Sequence, residues 1–207
     1  MTAYLLILVV SYLIGTFPTA YLLVRRTQHV DLREAGSTNI GALNAYEVTG
    51  AKWIGLAVML IDMLKGALAV LIAPWIAAQM GAPPDQLFWY RALGLIGVVA
   101  GHNYNLWLSL DARRVVGGKG FAAAAGALLL FMPALVIAWI ATHYLTRFII
   151  ARLKGINDVI IGNVFATLLF PVYAWLLYGP EAGWIGLILA LLILPKHVHQ
   201  FQALWQA

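Results

Sequence analysis

Seven apolar stretches separated by short polar segments dominate the chain. A helix that crosses a bilayer needs about 20 apolar residues, so the stretches predict a bundle of seven transmembrane helices. The third, fourth and fifth are short, which predicts helices that tilt little, thin the bilayer or are partly re-entrant. The stretches are residues 4–24, 53–78, 87–101, 120–132, 134–150, 159–178 and 182–195.

Pro133 sets the boundary between the fourth and fifth stretches. Proline removes a backbone donor and disfavours helix at the residue before it, so it predicts a turn there. The N-terminal sequence lacks a basic segment and a small-residue cleavage site. It therefore predicts a first span rather than a signal peptide.

The composition excludes a soluble protein. The chain of 207 residues is 63% hydrophobic and 10% charged, whereas soluble domains carry roughly 25% charged residues. The fold class is therefore an all-α integral membrane protein, with residues 1–207 as a single membrane domain. The chain has no cysteine, so it can form neither disulfides nor thiolate metal sites.

Lysine and arginine fall on alternate loops. Residues 25–52, 102–119 and 147–158 carry them, whereas residues 81–86 and 179–183 carry none. The positive-inside rule then predicts an external N-terminus and a cytoplasmic C-terminus. This alternation requires an odd number of spans, either seven or five with two re-entrant pieces. The net charge of +5 fits this orientation, and it also fits attraction to an anionic lipid or substrate.

The first predicted cytoplasmic loop contains the sequence EAGSTNIGALN, residues 34–44. Glycines such as Gly36 and Gly41 let backbone N–H groups approach an anion closely. Ser37, Thr38 and Asn39 add side-chain donors, and Arg33 adds a guanidinium that can bind phosphate with two hydrogen bonds. The alternative is a turn in which Ser or Asn caps the following helix.

A second glycine-rich segment, VVGGKG, precedes the fourth span. It places Lys119 at a helix N-terminus, where a lysine is unfavourable unless a bound anion compensates it. The spacing is not that of a nucleotide-binding P-loop. A flexible loop with an interfacial lysine is the alternative, but two such loops on one side favour a phosphate site.

Several ionisable residues outside the two glycine-rich segments are candidates for catalytic or structural roles. His102, directly after the third span, could be a general base, a phosphate donor or a capping residue. Asp62 and Lys65 are three residues apart, which predicts an ion pair on one helix face that supports the site from behind. His143 lies in an apolar span and predicts a helix–helix contact. No His, Asp or Glu cluster has metal-ligand spacing, so we expect no metal.

These motifs, taken in order, resemble the bacterial acyl-phosphate:glycerol-3-phosphate acyltransferases, the PlsY family. The resemblance covers most of the chain and is carried by segments in the first two spans, in both glycine-rich loops and at the C-terminal end. These segments are YLIGTFPTAYL, DLREAGSTNIGALN, DMLKG, GHN with GGKG, and the histidine at position 197.

The resemblance implies seven helices and transfer of a fatty acyl group from acyl phosphate to the 1-hydroxyl of glycerol 3-phosphate. The products would be lysophosphatidic acid and phosphate, formed at the cytoplasmic face of the cell's inner membrane. It implies a monomer that contacts membrane lipid, needs no cofactor and binds no nucleic acid. The catalytic residues would be Ser37, His102, Lys119 and His197. The phosphate- and substrate-binding residues would be Arg33, Gly36, Asn39, Gly41, Asn44, Gly117, Gly118, Gly120 and Gln200.

The chain departs from the family pattern at several positions. Leu43 replaces a threonine, Glu47 replaces an arginine, and Val198 and Gln200 replace the arginine and asparagine of the last motif. The segment between Tyr104 and Gly117 is longer and carries LDARR. These changes leave open a non-catalytic or substrate-altered paralogue that binds a phosphorylated ligand or lipid. A small transporter is a further alternative, although no clear internal repeat supports it.

Overall fold

The computed structural model describes residues 1–198, which are predominantly helical and contain no strand. The prediction of an all-α membrane protein is thus confirmed. Four of the helical segments in this range are long and apolar enough to cross a membrane: Thr2–Gln28, Lys52–Gln79, Pro133–Lys154 and Val159–Tyr178. Phe121–Phe131 is a shorter apolar helix.

The helices belong to two compact units, Met1–Phe131 and Met132–Ala207. The first unit contains helices α1 to α7 and a 3-10 turn at Pro84–Gln86, and the second contains α8 to α10 and a 3-10 turn at Leu194–His197. The helices are α1 Thr2–Gly15, α2 Thr19–Gln28, α3 Ala42–Thr49, α4 Lys52–Gln79, α5 Leu87–Asn103, α6 Leu106–Ala112, α7 Phe121–Phe131, α8 Pro133–Lys154, α9 Val159–Tyr178 and α10 Pro180–Ile193.

Two prolines mark helix boundaries. Pro133 is the first residue of α8, and α7 ends at Phe131, so the predicted turn is confirmed. Pro18 divides the stretch 4–24 into α1 and α2, a break that the hydrophobic pattern did not predict, although Thr2–Gln28 as a whole is long and apolar enough to be the predicted first span. The physical reason is the same in both places, since proline disfavours helix at the residue before it.

Small residues allow close helix crossings in the first unit. A Cβ added to Gly101 of α5 would overlap the carbonyl of Tyr12 in α1, and one added to Gly126 of α7 would overlap that of Met63 in α4. Glycine at such points lets backbones approach closely in a membrane, where packing rather than hydrophobic exclusion holds helices together.

A small apolar core lies beneath the polar loops of the first unit. It joins α2, the first loop, α3, α4, α6 and the segment before the second loop, through residues Ala20, Val24, Leu32, Ile40, Ala45, Ile54, Val58, Leu108 and Val116. Burial of these side chains fixes the loop stems. The short helices α3 and α6, which the hydrophobic pattern did not predict, complete this core.

In the second unit, α8 packs against α9 and α9 against α10. A Cβ added to Gly162 of α9 would lie within 2.6 Å of Nδ1 of His143. His143 also stacks on Trp139, with ring centres 5.2 Å apart. The predicted role of His143 as a helix–helix contact is confirmed.

Candidate active site

Asn44 organises the first loop. Its side-chain amide donates to the carbonyls of Ala35 (3.1 Å) and Asn39 (2.9 Å), and its Oδ1 accepts the N–H of Ser37 (2.9 Å). Asn44 is 1% exposed. These three bonds curl the loop around one buried amide and leave the side chains of Ser37 and Thr38 exposed.

The backbone of the first loop is tightly turned. Gly36 has φ +59° and Thr38 has φ 58°, in the left-handed region that favours glycine. The N-cap of α3 is Gly41, with no side-chain cap hydrogen bond. The alternative of a turn capped by Ser or Asn was therefore wrong, because the polar side chain of Asn44 points back into the loop instead.

The second loop lies directly on the end of α5. The N–H of Gly118 donates to the carbonyl of His102 (2.9 Å). A Cβ at Gly118 would overlap Nε2 of His102, so glycine lets the loop backbone cover the imidazole. Gly120 has φ +83° and turns the chain into α7, which places half-exposed Lys119 beside the N-terminus of that helix as predicted.

Hydrogen bonds brace the second loop from α6. Asn105 caps α6 by accepting the N–H of Leu108 (3.0 Å), and its own N–H donates to the carbonyl of Val116 (2.8 Å). Ser109 accepts the N–H of Val116 (2.9 Å) and donates to its carbonyl (3.2 Å). The longer segment between Tyr104 and Gly117 is thus a short helix that holds the glycine-rich loop.

The two loops meet through their backbones. The N–H of Ile40 donates to the carbonyl of Gly117, with 3.4 Å between nitrogen and oxygen. This contact places the GSTN segment beside the GGKG segment. It brings together within one unit the predicted site residues Arg33, Gly36, Ser37, Asn39, Gly41, Asn44, His102, Gly117, Gly118, Lys119 and Gly120.

A buried polar network lies behind His102. Lys65 Nζ is 2.8 Å from Asp62 Oδ1, which confirms the predicted pair. Thr19 Oγ1 donates to the same oxygen (3.0 Å), and Lys65 also donates to the carbonyl of Phe17 (3.1 Å). Nδ1 of His102 is 3.8 Å from Asp62 Oδ1. The network joins α4 and α5 to the break between α1 and α2.

Sequence reasoning missed the contribution of Thr19 and Phe17 to this network. Pro18 was the available signal, because a helix break leaves nearby carbonyls without helical partners. The carbonyl of Phe17 is one such group, and it accepts hydrogen bonds from the N–H of Thr19 (3.0 Å) and the ammonium of Lys65.

Arg33 has carboxylate partners. Its Nη2 is 2.7 Å from Asp31 Oδ2, and its Nη1 contacts Asp111 Oδ2. The hydrogen bond from Arg33 holds the pKa of Asp31 below its usual value, and hydrogen bonds to Asp31 and Asp111 raise the pKa of Arg33. The predicted role of Arg33 in binding phosphate stays a prediction, and these contacts show how it anchors the loop.

The remaining predicted site residues belong to the C-terminal segment. His197 is 1% exposed in the second unit, with Nδ1 3.1 Å from the carbonyl of Ile193. Gln200 lies outside the described residues. Among residues 1–198, no group of three or more His, Asp or Glu side chains is placed to hold a metal ion.

An apolar groove runs between α1 and α4 in the first unit. Its volume is about 570 Å³, and Leu13, Ile14, Leu64 and Leu68 are among its lining residues. Phe17 and Lys65 also line it, so it reaches the buried network behind His102. The arrangement can thus bind an anion at two glycine-rich loops and accommodate a hydrocarbon chain nearby.

Comparison with known proteins gives a consistent result. The family model "Glycerol-3-phosphate acyltransferase" matches residues 5–207. The glycerol-3-phosphate acyltransferase of Myxococcus xanthus is 38% identical over 162 residues, covering 78% of this chain and 76% of the relative. That of Rhodopseudomonas palustris is 34% identical over 198 residues, covering 94% and 88%.

The fold also matches a solved structure. The crystal structure of PlsY, an integral membrane glycerol 3-phosphate acyltransferase, in its glycerol 3-phosphate form superposes with a TM-score of 0.75. Sequence identity is 24%, and the match covers 98% of this chain and 92% of that one. The lysophosphatidic acid form superposes with a TM-score of 0.72.

Proposed function

Because the chain belongs to the glycerol-3-phosphate acyltransferase family, we propose that it is a membrane enzyme that acylates the 1-hydroxyl of glycerol 3-phosphate. The acyl donor is acyl phosphate, and the products are lysophosphatidic acid and inorganic phosphate. This is the first step in building a phospholipid from glycerol 3-phosphate.

The observation that carries the proposal is the contact between the two glycine-rich loops, through Ile40 N–H and the carbonyl of Gly117. Both substrates carry phosphate. The exposed side chains of Ser37 and Thr38 can donate to a phosphate at the junction of the two loops, and the ammonium of Lys119 adds charge at a helix N-terminus.

The roles follow from exposure and bonding. Lys119, Ser37 and the amides of Gly117 and Gly120 neutralise the leaving phosphate, and half-exposed Asn39 orients the glycerol hydroxyls. Gly118 shapes the phosphate site, because its N–H donates to the carbonyl of His102. Buried Asn44 acts through the loop backbone, which it holds with three hydrogen bonds. Gly36 and Gly41 give the loop its shape.

His102 and His197 bind phosphate or relay a proton in this proposal, and Gln200 contributes to substrate binding. The contact of Gly118 with the His102 ring supports His102 as part of the phosphate site. The role of His197 rests on the family resemblance.

The reaction needs alignment more than a strong base. The glycerol hydroxyl oxygen forms a bond to the acyl carbon, and the bond from that carbon to the phosphate oxygen breaks. The hydroxyl proton passes to a substrate phosphate oxygen. Alignment of two bound substrates can supply about 7–11 kcal/mol of the barrier, and preorganised donors stabilise the developing negative charge.

The apolar groove between α1 and α4 accommodates the acyl tail. Its hydrocarbon walls match a fatty chain, and its open side faces lipid. The seven apolar stretches of the sequence cross the membrane with the N-terminus outside, so the loops lie at the cytoplasmic face of the inner membrane, where glycerol 3-phosphate is available. The protein acts as a monomer and binds no nucleic acid.

The donor is tested with purified protein in lipid vesicles. Glycerol 3-phosphate is supplied with palmitoyl phosphate, palmitoyl coenzyme A or palmitoyl acyl carrier protein, and lysophosphatidic acid is measured. We expect product only from palmitoyl phosphate. Product from either thioester alone would overturn the donor assignment.

Glu47, exposed on α3, favours a second candidate function, a paralogue with an altered substrate. Acylation of a different alcohol in place of glycerol 3-phosphate would support this second function.

A further inference from the structure

A cluster of charged side chains ties the first loop to the segment that leads into the second. Arg33 is at its centre, with a side chain only 12% exposed. Its Nε and Nη2 donate to the two oxygens of Asp31 at 3.0 and 2.7 Å. Its guanidinium carbon lies 4.9 Å from the ring centre of Tyr21. These contacts fix Arg33 from one side.

Asp111, in the last turn of α6, and Arg114, two residues beyond its end, also hold Arg33. Asp111 Oδ2 accepts from Nη1 of Arg33, and Arg114 Nη2 donates to the backbone carbonyl of Arg33 (2.8 Å). Both belong to LDARR, the sequence that makes this segment longer than in the family pattern. The LDARR segment therefore contacts Arg33 both at its side chain and at its backbone carbonyl.

The contacts of Arg33 with Asp111 and Arg114 connect the segments that lead into the two glycine-rich loops. Arg33 is three residues before Gly36, and Arg114 is three residues before Gly117. The contact thus joins the stems of the two glycine-rich loops. The backbone hydrogen bond between these loops, from Ile40 to Gly117, is long at 3.4 Å. The bonds at the stems are charge-assisted and shorter than this backbone bond, although the Asp111 side chain is 67% exposed.

We propose that Arg33, Asp111 and Arg114 form a clamp that sets the distance between the two loops, so that Asp111 and Arg114 are positioning residues for acyl transfer. This inference rests on the proposed function. If the loops bind the two substrates, loosening the clamp misaligns them. Misalignment lowers kcat more than it raises KM, because both substrates still bind but seldom in reactive geometry.

The test uses single substitutions with matched controls. Asp111→Asn removes the carboxylate charge, and Asp111→Glu restores it. The control Asp85→Asn removes the same charge from an exposed residue in the 81–86 loop. Arg114→Gln is matched by Arg26→Gln, an exposed arginine of α2. The acyltransferase assay gives kcat and KM for each variant.

A second readout is independent of catalysis. The chain has no cysteine, so Glu34→Cys provides a single attachment site for a nitroxide label on the first loop. Glu34 is exposed and adjacent to Arg33. The electron paramagnetic resonance line shape of the label then reports how firmly the loop is held, in the wild-type background and in each clamp variant.

We expect Asp111→Asn and Arg114→Gln to mobilise the label and to lower kcat roughly 3- to 10-fold, with Asp111→Glu largely restoring both. Asp85→Asn and Arg26→Gln should change neither. An unchanged line shape in Asp111→Asn and Arg114→Gln would overturn the clamp. A mobilised label with kcat equal to that of the controls would overturn the positioning role. A wild-type protein that makes no lysophosphatidic acid would refute the proposed function instead, and the line shape would still test the clamp.

Discussion

The buried pair Asp62–Lys65 gives the sharpest prediction about stability. The side chains are 2% and 7% exposed, and Nζ and Oδ1 are 2.8 Å apart. Asp62→Asn leaves a buried ammonium with the neutral carbonyl of Phe17, and Lys65→Met leaves a buried carboxylate with the hydroxyl of Thr19. Either change leaves a buried charge without its oppositely charged partner, so each should lower the free energy of unfolding by about 3–5 kcal/mol.

The double variant Asp62→Asn/Lys65→Met separates charge from packing. The double variant leaves no buried charge without a partner. Its loss of unfolding free energy should therefore be smaller than the sum of the two single losses by about 3 kcal/mol. Unfolding of the detergent-solubilised protein by sodium dodecyl sulfate, followed by tryptophan fluorescence, measures all four proteins. Asp85→Asn, an exposed charge removal, should change stability by less than about 0.5 kcal/mol. Additive single losses, or single losses below about 1 kcal/mol, would refute the account of this network.

Three further predictions concern the loops. Asn44→Ala leaves the N–H of Ser37 and two carbonyls without their partner, so it should lower the free energy of unfolding by about 1–3 kcal/mol in the same assay. Asn157→Ala, in the loop before α9, is the control, and an equal loss in the two variants would contradict the role given to Asn44. Gly118→Ala places a Cβ on the His102 ring and should lower kcat/KM at least 10-fold. Gly50→Ala, which meets no atom within 4 Å although its φ is +67°, should retain activity, and equal effects would show that the contact with His102 is unimportant. The pKa of Asp31 is lowered in the folded protein, so the ionised carboxylate contributes fully to stability above about pH 4, the unfolded value. This contribution is lost as the pH falls through the lowered pKa. Asp31→Asn should remove this part of the acid destabilisation, and identical pH profiles of stability for the variant and the wild type would contradict the prediction.

The hydrophobic pattern predicted most of the helical segments. The stretches 53–78 and 159–178 correspond closely to α4 and α9, because uninterrupted apolar runs of that length have little alternative in a bilayer. The helix break at Pro18 was missed, although the same reasoning located the break at Pro133. A single proline near the end of an apolar run is compatible with either a continuous or a divided helix, and the bonds of Phe17 and Thr19 to α4 favour division.

The site was predictable in composition but not in its internal bonding. The two glycine-rich loops were identified from residue type alone, and their proximity was expected because the positive-inside rule predicts the same side of the membrane for both. The bonding of Asn44 to Ala35, Ser37 and Asn39 depends on two left-handed residues, which no hydrophobic period encodes. The contact between Arg33 and Asp111 joins residues 78 positions apart, so only the packing of α6 beneath the loops could reveal it.

The central claim is that the two loops form a catalytic phosphate site, and Lys119 tests it most directly. Purified protein in lipid is given palmitoyl phosphate and glycerol 3-phosphate, and inorganic phosphate and lysophosphatidic acid are measured together. The account predicts equal amounts of both products from the wild type and a loss of at least about 100-fold with Lys119→Met. Lys119→Arg should restore activity only in part, because a planar fork does not replace a point charge. Full activity of Lys119→Met, or no product from well-folded wild-type protein, would contradict the claim.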